Sequence, residues 1–163
     1  MTIVAYRDGV RLVVASDGSC LVNPGGPGGW ACATSPEHWL AGGHPSTTNN
    51  LMELRGVFEA LTAIPADVAL TIETDSLYVI KTFTLWLEGW KRNGWQTSAK
   101  KPVANRSAIM EIERLLHGRD VQWRHVKGHA GHVLNEVCDL RAGAAAAAIR
   151  SGQPVAVGPG LSV

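Results

Sequence analysis

Two apolar rhythms meet around a single proline. Leu51, Leu54, Phe58 and Leu61 recur at helical spacing through residues 49–64, and Pro65 stops that pattern. Three residues later Val68, Leu70 and Ile72 alternate with Ala69, Thr71 and Glu73, the period of a half-buried strand. A helix that hands over directly to a strand buries its stripe by crossing back over a sheet. The chain is therefore predicted to be α/β.

The flanking elements extend this frame. Residues 11–17 read as a strand that runs into Gly18 and then a Gly/Pro turn over 23–29, with two short strands near 29–34 and 38–43. Residues 76–91 read as helix, followed by the Asn93-Gly94 turn signal and an irregular basic loop ending at Pro102. Helix returns near 105–117, where Ile109, Ile112, Leu115 and Leu116 form a stripe, and Val121, Trp123 and His125 mark a last strand. After a loop at 128–132, residues 134–150 end in an alanine run that favours helix, although Gly143 costs about 1 kcal/mol within it. Residues 151–163 show no periodicity and are expected to be a flexible tail. A three-stranded meander followed by crossovers makes a mixed sheet with helices on its faces.

At 163 residues and 45% hydrophobic content the chain suits one domain with a real core. No apolar run approaches the roughly 18 residues that cross a bilayer, and the first eight residues lack the basic-then-apolar order of a leader. The expectation is a cytoplasmic protein with no membrane partner. Cys20, Cys32 and Cys138 are odd in number and widely spaced, so free thiols are expected. The net charge of +1 is unevenly spread: residues 91–106 hold five basic side chains and no acidic one, leaving ten basic against fourteen acidic residues, a net −4, elsewhere.

Asp17 and Asp75 end two predicted strands. If those strands are parallel neighbours, both carboxylates reach one crevice at their carboxyl edge, where open α/β sheets bind ligands. Glu53 in the first turn of one helix and Asp139 early in the last helix can point over the same edge. Like charges so close need a compensating cation, and oxygen ligands favour Mg²⁺ or Mn²⁺ over zinc. Each acid also has a plainer reading. Asp17-Gly18 is a common turn, Glu53 fits a capping box with Asn50 as N-cap, Asp75 could cap the next helix, and Asp139 could be a solvated helix residue.

Several blocks resemble, in order, the motifs of bacterial type 1 ribonuclease H: Asp17-Gly18-Ser19-Cys20, Asn23-Pro24-Gly25, Thr47-Thr48-Asn49-Asn50-Leu51-Met52-Glu53-Leu54 and Thr74-Asp75-Ser76-Leu77-Tyr78-Val79. They continue through Val126-Lys127-Gly128-His129-Ala130-Gly131-His132 and Asn135-Glu136-Val137-Cys138-Asp139. The likeness spans about residues 11–150. It implies a ribonuclease H-like fold, a five-stranded mixed sheet of order 3-2-1-4-5 with helices on both faces, in a catalytic domain over 1–150. It also implies that Asp17, Glu53, Asp75 and Asp139 hold two Mg²⁺ ions, with Mn²⁺ as a substitute, and that His129 acts from a mobile loop beside them. An unperturbed histidine near pKa 6.5 suits proton transfer or product release. A zinc pair of His129 and His132 is the alternative, though no cysteine pair or third partner follows.

The activity implied is hydrolysis of the RNA strand of RNA/DNA hybrids by a monomeric endonuclease, leaving 5′-phosphate and 3′-hydroxyl ends. The resemblance points to Cys20, Asn23, Asn49 and Asn50 as minor-groove contacts and to Thr48 near a DNA phosphate. A basic protrusion over about 86–106 would hold the DNA strand, with Trp86, Trp90, Lys91, Arg92, Lys100 and Lys101 as its contacts. At least one of Trp86 and Trp90, spaced four apart, is expected to pack the protrusion onto the body instead. With no separate hybrid-binding domain before Arg11, that protrusion would supply most of the electrostatic grip. Leu51 and Leu77 stand where family members commonly carry polar residues, the Gly/Pro turn has an extra glycine, and Val133 replaces a common proline. Rival readings are a related nuclease or resolvase with another nucleic acid, or a non-catalytic hybrid-binding module.

Overall fold

The computed structural model describes residues 5–163. Residues 1–4, part of the expected domain and of the chain start read above, lie outside the described residues. Strand β1 (Arg7–Asp8) is followed by β2 (Arg11–Cys20), β3 (Gly28–Ser35), β4 (His38–His44), α1 (Asn49–Ala63) and β5 (Leu70–Thr74). Then come α2 (Leu77–Lys81), a π-helical turn (Thr82–Trp86), α3 (Leu87–Arg92), α4 (Arg106–Leu116), β6 (Val121–His125) and α5 (Val133–Ser151).

The sheet runs β4-β3-β2-β5-β6. Counting β2 to β6 as the five expected strands, this is the predicted 3-2-1-4-5 order. The sixth strand, β1, pairs with Arg11 and Leu12 of β2, a stretch that the β3 pairing, which starts at Ala15, leaves open. β2 is antiparallel to β3 and parallel to β5, and β5 is parallel to β6.

Alternation along β2 builds two cores. Leu12 and Val14 join Leu54, Val57 and Leu61 of α1, Val79 of α2, and Ile109 and Ile112 of α4. Val13 and Ala15 join Ala31, Ala33, Trp39 and Ala41 with Leu134, Cys138 and Ala142 of α5. Among the described residues the alanine-rich α5 is the helix that covers the second face, and small side chains let it come close: a Cβ on Gly29 of β3 would stand 2.2 Å from the Ala142 carbonyl oxygen. α1 approaches the other face as tightly at Gly18. A Cβ there would lie 2.3 Å from Glu53 N. Gly18 is thus no turn residue; it sits inside β2, paired with Trp30, and lets the first turn of α1 rest on the strand.

The caps differ from the plainer readings, by two residues at α1 and by one at α2. Thr48, not Asn50, caps α1, its Oγ1 accepting from Leu51 N–H at 3.2 Å, which leaves the Glu53 side chain without a capping role. Ser76 rather than Asp75 caps α2. The carboxylates of Glu53 and Asp75 are therefore free of the capping work that would explain them. Residues 151–163 also depart from the loose tail expected. Ala41 N–H donates to the Val157 carbonyl at 3.0 Å, Gly160 N–H to the Trp39 carbonyl at 3.2 Å, and Ser162 N–H to Thr34 Oγ1 at 2.9 Å, so the segment lies along β4. Backbone groups make most of these bonds, and backbone pairing leaves no periodicity to read.

Because α1 touches β2 through a missing side chain, Gly18→Ala should lower stability by roughly 1–3 kcal/mol, the usual penalty for overpacking. Urea unfolding checks this; an unchanged midpoint would show that α1 can step back without loss.

Candidate active site

The parallel pairing of β2 with β5 sets the site. Leu12 pairs with Leu70 and Ala15 with Glu73. Two residues further along each chain come Asp17 and Asp75, at the same level of the carboxyl edge. Glu53 reaches this edge from α1 because Gly18 admits the helix. Asp17, Glu53 and Asp75 each offer an oxygen within 4.8 Å of the other two. Among the described residues no group containing histidine forms such a cluster, so the His129/His132 pair has no metal-ligating partner set.

The electrostatics of the trio are those of a cation site. Asp17 is only 4% exposed, and Gly18 N–H donates to its Oδ1 at 2.9 Å. Burial, reinforced by the charges of Asp75 and Asp139, pushes its pKa from 3.8 to about 7. Burial with the charges of Asp17 and Asp75 likewise raises Glu53 well above the usual carboxylate range. Glu53 Oε2 is buried and has no hydrogen-bond partner. An orphaned carboxylate oxygen is costly, and beside two further acids it calls for a positive charge. Three carboxylates without sulfur or imidazole fit a hard divalent ion.

Asp139 stands apart from this trio. Its side chain is 53% exposed, and its Oδ2 lies 4.0 Å from Nδ1 of His129. The expected group of four is thus three acids in contact and a fourth at the rim, because α5 packs on the far face of the sheet and brings Asp139 to the edge from that side. His129 is 82% exposed at its side chain and adopts the left-handed region at φ +56°. Its loop passes close over the trio: a Cβ on Gly128 would lie 2.8 Å from Asp75 Oδ2.

The polar residues singled out from the sequence gather beside the acids. Asn23, Thr48, Asn49 and Asn50 line one groove of about 400 Å³ together with Asn105. Asn49 N–H donates to Asn23 Oδ1 at 3.2 Å, tying the Gly/Pro turn to the start of α1. The Cys20 thiol lies 3.2 Å from the Val22 carbonyl and 3.5 Å from that of Thr47, so it fastens the same turn. Asn105 was not singled out. It holds a left-handed conformation at φ 64°, and its amide donates to the Tyr78 hydroxyl at 3.1 Å; only its tolerance for that backbone region hints at it in the sequence.

The protrusion is stiffened by aromatic rings. Tyr78, Trp86, Trp90 and Trp95 follow one another at centroid distances of 6.4, 5.7 and 6.4 Å, and the Arg106 guanidinium lies 5.3 Å from the Trp95 ring. Trp90 packs against the core, whereas Trp86 is 36% exposed, which divides the pair as expected. Both border a groove of about 430 Å³ with Asn93 and Gln96. The basic loop is a tight hairpin rather than irregular: Thr97 N–H donates to the Lys101 carbonyl at 2.8 Å and Val103 N–H to the Trp95 carbonyl at 3.0 Å. Lys91 differs from its expected role, since its ammonium is paired with Glu113 at 2.5 Å and Glu88 at 3.8 Å. Arg92, Lys100 and Lys101 are exposed and make no ion pair among the described residues.

Comparison with known proteins gives a consistent picture. Residues 10–147 match the family model described as RNase H. The chain is 47% identical over 135 residues to a ribonuclease H of Rhodospirillum rubrum, covering 80% of each chain. It is 44% identical over 151 residues to a ribonuclease H of Thermosynechococcus vestitus, covering 88% of this chain and 91% of that one. Among solved structures it is similar to LC9-RNase H1, described as a type 1 RNase H with the type 2 active-site motif. That match has a TM-score of 0.71 and 32% identity, over 90% of this chain and 75% of the other. Among the described residues no helix is long and apolar enough to cross a membrane.

The raised carboxylates make metal-free stability depend on pH. Asp17 binds a proton more tightly folded, at about 7, than at its ordinary 3.8, so its protonated form favours the fold. That contribution is complete below the ordinary value and is lost as pH rises through about 7, a change on the order of 2–4 kcal/mol. In EDTA the melting temperature should therefore fall between about pH 4 and pH 7. Added Mg²⁺ or Mn²⁺ should restore it more at pH 8 than at pH 5, and Asp17→Asn should raise the metal-free value at pH 8. A flat profile in thermal melts would contradict this account.

Proposed function

The chain belongs to the ribonuclease H family, and on that basis we propose that it hydrolyses the RNA strand of RNA/DNA hybrids, using two divalent ions, Mg²⁺ or Mn²⁺, to leave 5′-phosphate and 3′-hydroxyl ends. The observation that carries this reading is the orphaned Glu53 oxygen inside the acidic trio, at the edge shared with the Asn/Thr groove. A module that only bound nucleic acid would gain nothing from three clustered acids facing a polyanion, one of them buried and two half-buried.

Asp17, Glu53 and Asp75 would hold the ions, with Asp139 completing the set from the rim. When bound, the ions supply Lewis acidity toward a water and toward the oxygen that leaves. The chain's own groups do the rest. His129, with Nδ1 4.0 Å from Asp139, is placed to take or give a proton at the edge of the site, and its exposure lets it swing with the loop. Asn23, Asn49 and Asn50 present amides to the shallow minor groove of the hybrid, where the 2′-hydroxyl marks the RNA strand. Thr48 and Lys100, Lys101 and Arg92 of the protrusion serve the DNA phosphates, fixing register without reading sequence. The catalytic domain is read as residues 1–150, and the expectation of a cytoplasmic monomer belongs to the same proposal.

Purified protein with Mg²⁺ should cleave the RNA of a hybrid while sparing duplex DNA, duplex RNA and single-stranded RNA. EDTA should stop it, and Asp75→Asn should cost more than the roughly 10–100-fold typical of losing an outer-shell partner. Equal cleavage of single-stranded RNA would sink the proposal. Lys100→Ala combined with Lys101→Ala should raise KM at 0.1–0.2 M salt and reduce the salt slope of binding by up to about 2. An unchanged slope would remove the hairpin from the DNA contact.

A further inference from the structure

β4 is an end strand of the sheet: β3 pairs with one of its sides, and residues 157–162 run along the other. Ala41 N–H donates to the Val157 carbonyl and Gly160 N–H to the Trp39 carbonyl. Beyond the strand, Ser162 N–H reaches Thr34 Oγ1, at the irregularity between Ala33 and Ser35 of β3. Two features hold the segment there. Leu161 packs against the first core. Gly158 comes so close to β4 that a Cβ on it would lie 2.2 Å from the Trp39 carbonyl oxygen and 2.7 Å from Trp39 Cε3, and its φ of +91° is one that side chains rarely adopt. Arg141 of α5 lies over the same ring at 3.9 Å, so Trp39 joins helix, strand and segment. The tether between them is short. Gly152, left-handed at φ +68°, caps α5, and Gln153, Pro154 and Ala156 are exposed.

An end strand with open N–H and C=O groups is a template for another strand, and proteins usually blunt it with lysine, proline or an inward charge. β4 has none of these. His38-Trp39-Leu40-Ala41-Gly42-Gly43-His44 carries no Lys, Arg, Asp, Glu or Pro. We infer that the β4 edge is a self-association surface, that residues 157–162 keep it closed in the monomer, and that a second copy of this chain is the partner it takes once the segment leaves. Two copies of one strand, paired antiparallel about a two-fold axis, satisfy each other, because whatever residue i gives to j, j gives to i. Such a pair sets the His38 end of one strand beside the His44 end of the other, and no fixed charge at either end opposes it. The acids on β2, α1 and β5 take no part, so the inference stands apart from the hydrolysis proposed above.

The test uses the full chain with Gly158→Val and Leu161→Asp together, which drives a side chain into the Trp39 carbonyl and sets a charge against the core. Sedimentation velocity should find the wild type monomeric and the double variant largely dimeric at about 100 μM, a concentration at which contacts of modest affinity are populated. An excess of the synthetic peptide of residues 153–163 should return the variant to monomer. So should His38→Lys with His44→Lys, which bring like charges together across the two-fold axis. Hydrogen exchange reports on the segment itself. In the wild type the Ala41 amide should exchange at least about ten-fold faster than the amides of β2 that pair with β3, because its partner is the detachable segment. Exchange as slow as in β2 would overturn detachment, and that outcome needs no variant to fold. A variant that stays monomeric with fast Ala41 exchange would overturn the self-association. One that stays monomeric with Ala41 still protected would overturn the hold assigned to Gly158 and Leu161. Dimers that survive both the peptide and the lysines would overturn β4 as the surface.

Discussion

The parallel contact between β2 and β5 is the constraint on which the rest of the structure depends. It places Asp17 and Asp75 level at the carboxyl edge of the sheet, and it does so through strands whose paired residues Leu12, Val13, Val14, Leu70 and Ile72 are buried. Neither acid can retreat into solvent without breaking the central pairing. α1 then adds Glu53, and it can do so because the bare backbone at Gly18, with Gly56 on the helix itself, lets it rest on the strand. The fold forces three carboxyl groups together in low dielectric, and the protons or cations they take up are a consequence of that packing.

Much of this was legible in the residues. The change from helical to alternating spacing around Pro65 reveals the crossover and the mixed sheet, whereas the strand order comes only with the resemblance to ribonuclease H. The cap positions were less accessible, because Thr48, Asn49 and Asn50 are all good N-cap residues. The choice among them is made by where α1 must stop against Gly18. The pairing of Lys91 with Glu113 was invisible for another reason: the partner comes from α4, and only the tertiary arrangement brings it within reach. Asn105 and the segment along β4 share that difficulty, since left-handed backbone and backbone hydrogen bonds leave almost no mark on composition. Asp139 can be seen in the sequence to be able to point over the edge, but its separation from the trio depends on how α5 lies across the opposite face.

Charge is divided between the two ends of the surface that serves the substrate. The acids lie at the sheet edge, and Lys100 and Lys101, which make no ion pair among the described residues, lie on the hairpin over 96–102. A polyanion placed directly over the trio would be repelled unless cations intervene, whereas the hairpin attracts it whatever occupies the trio. On the proposed reading, attraction and chemistry would be separated in space, and a backbone would be gripped without being graded by sequence.

The line of rings from Tyr78 through Trp86 and Trp90 to Trp95, closed by the Arg106 guanidinium, gives that separation a further meaning. Tyr78 lies three residues beyond Asp75, and Trp95 begins the basic hairpin, so the stack spans the gap between the chemical and the gripping ends. Rings packed in sequence do not stretch. If the hairpin holds the DNA strand as proposed, the stack acts as a ruler, and a nucleic acid too short to lie along its full length would touch one end or the other but not both at once.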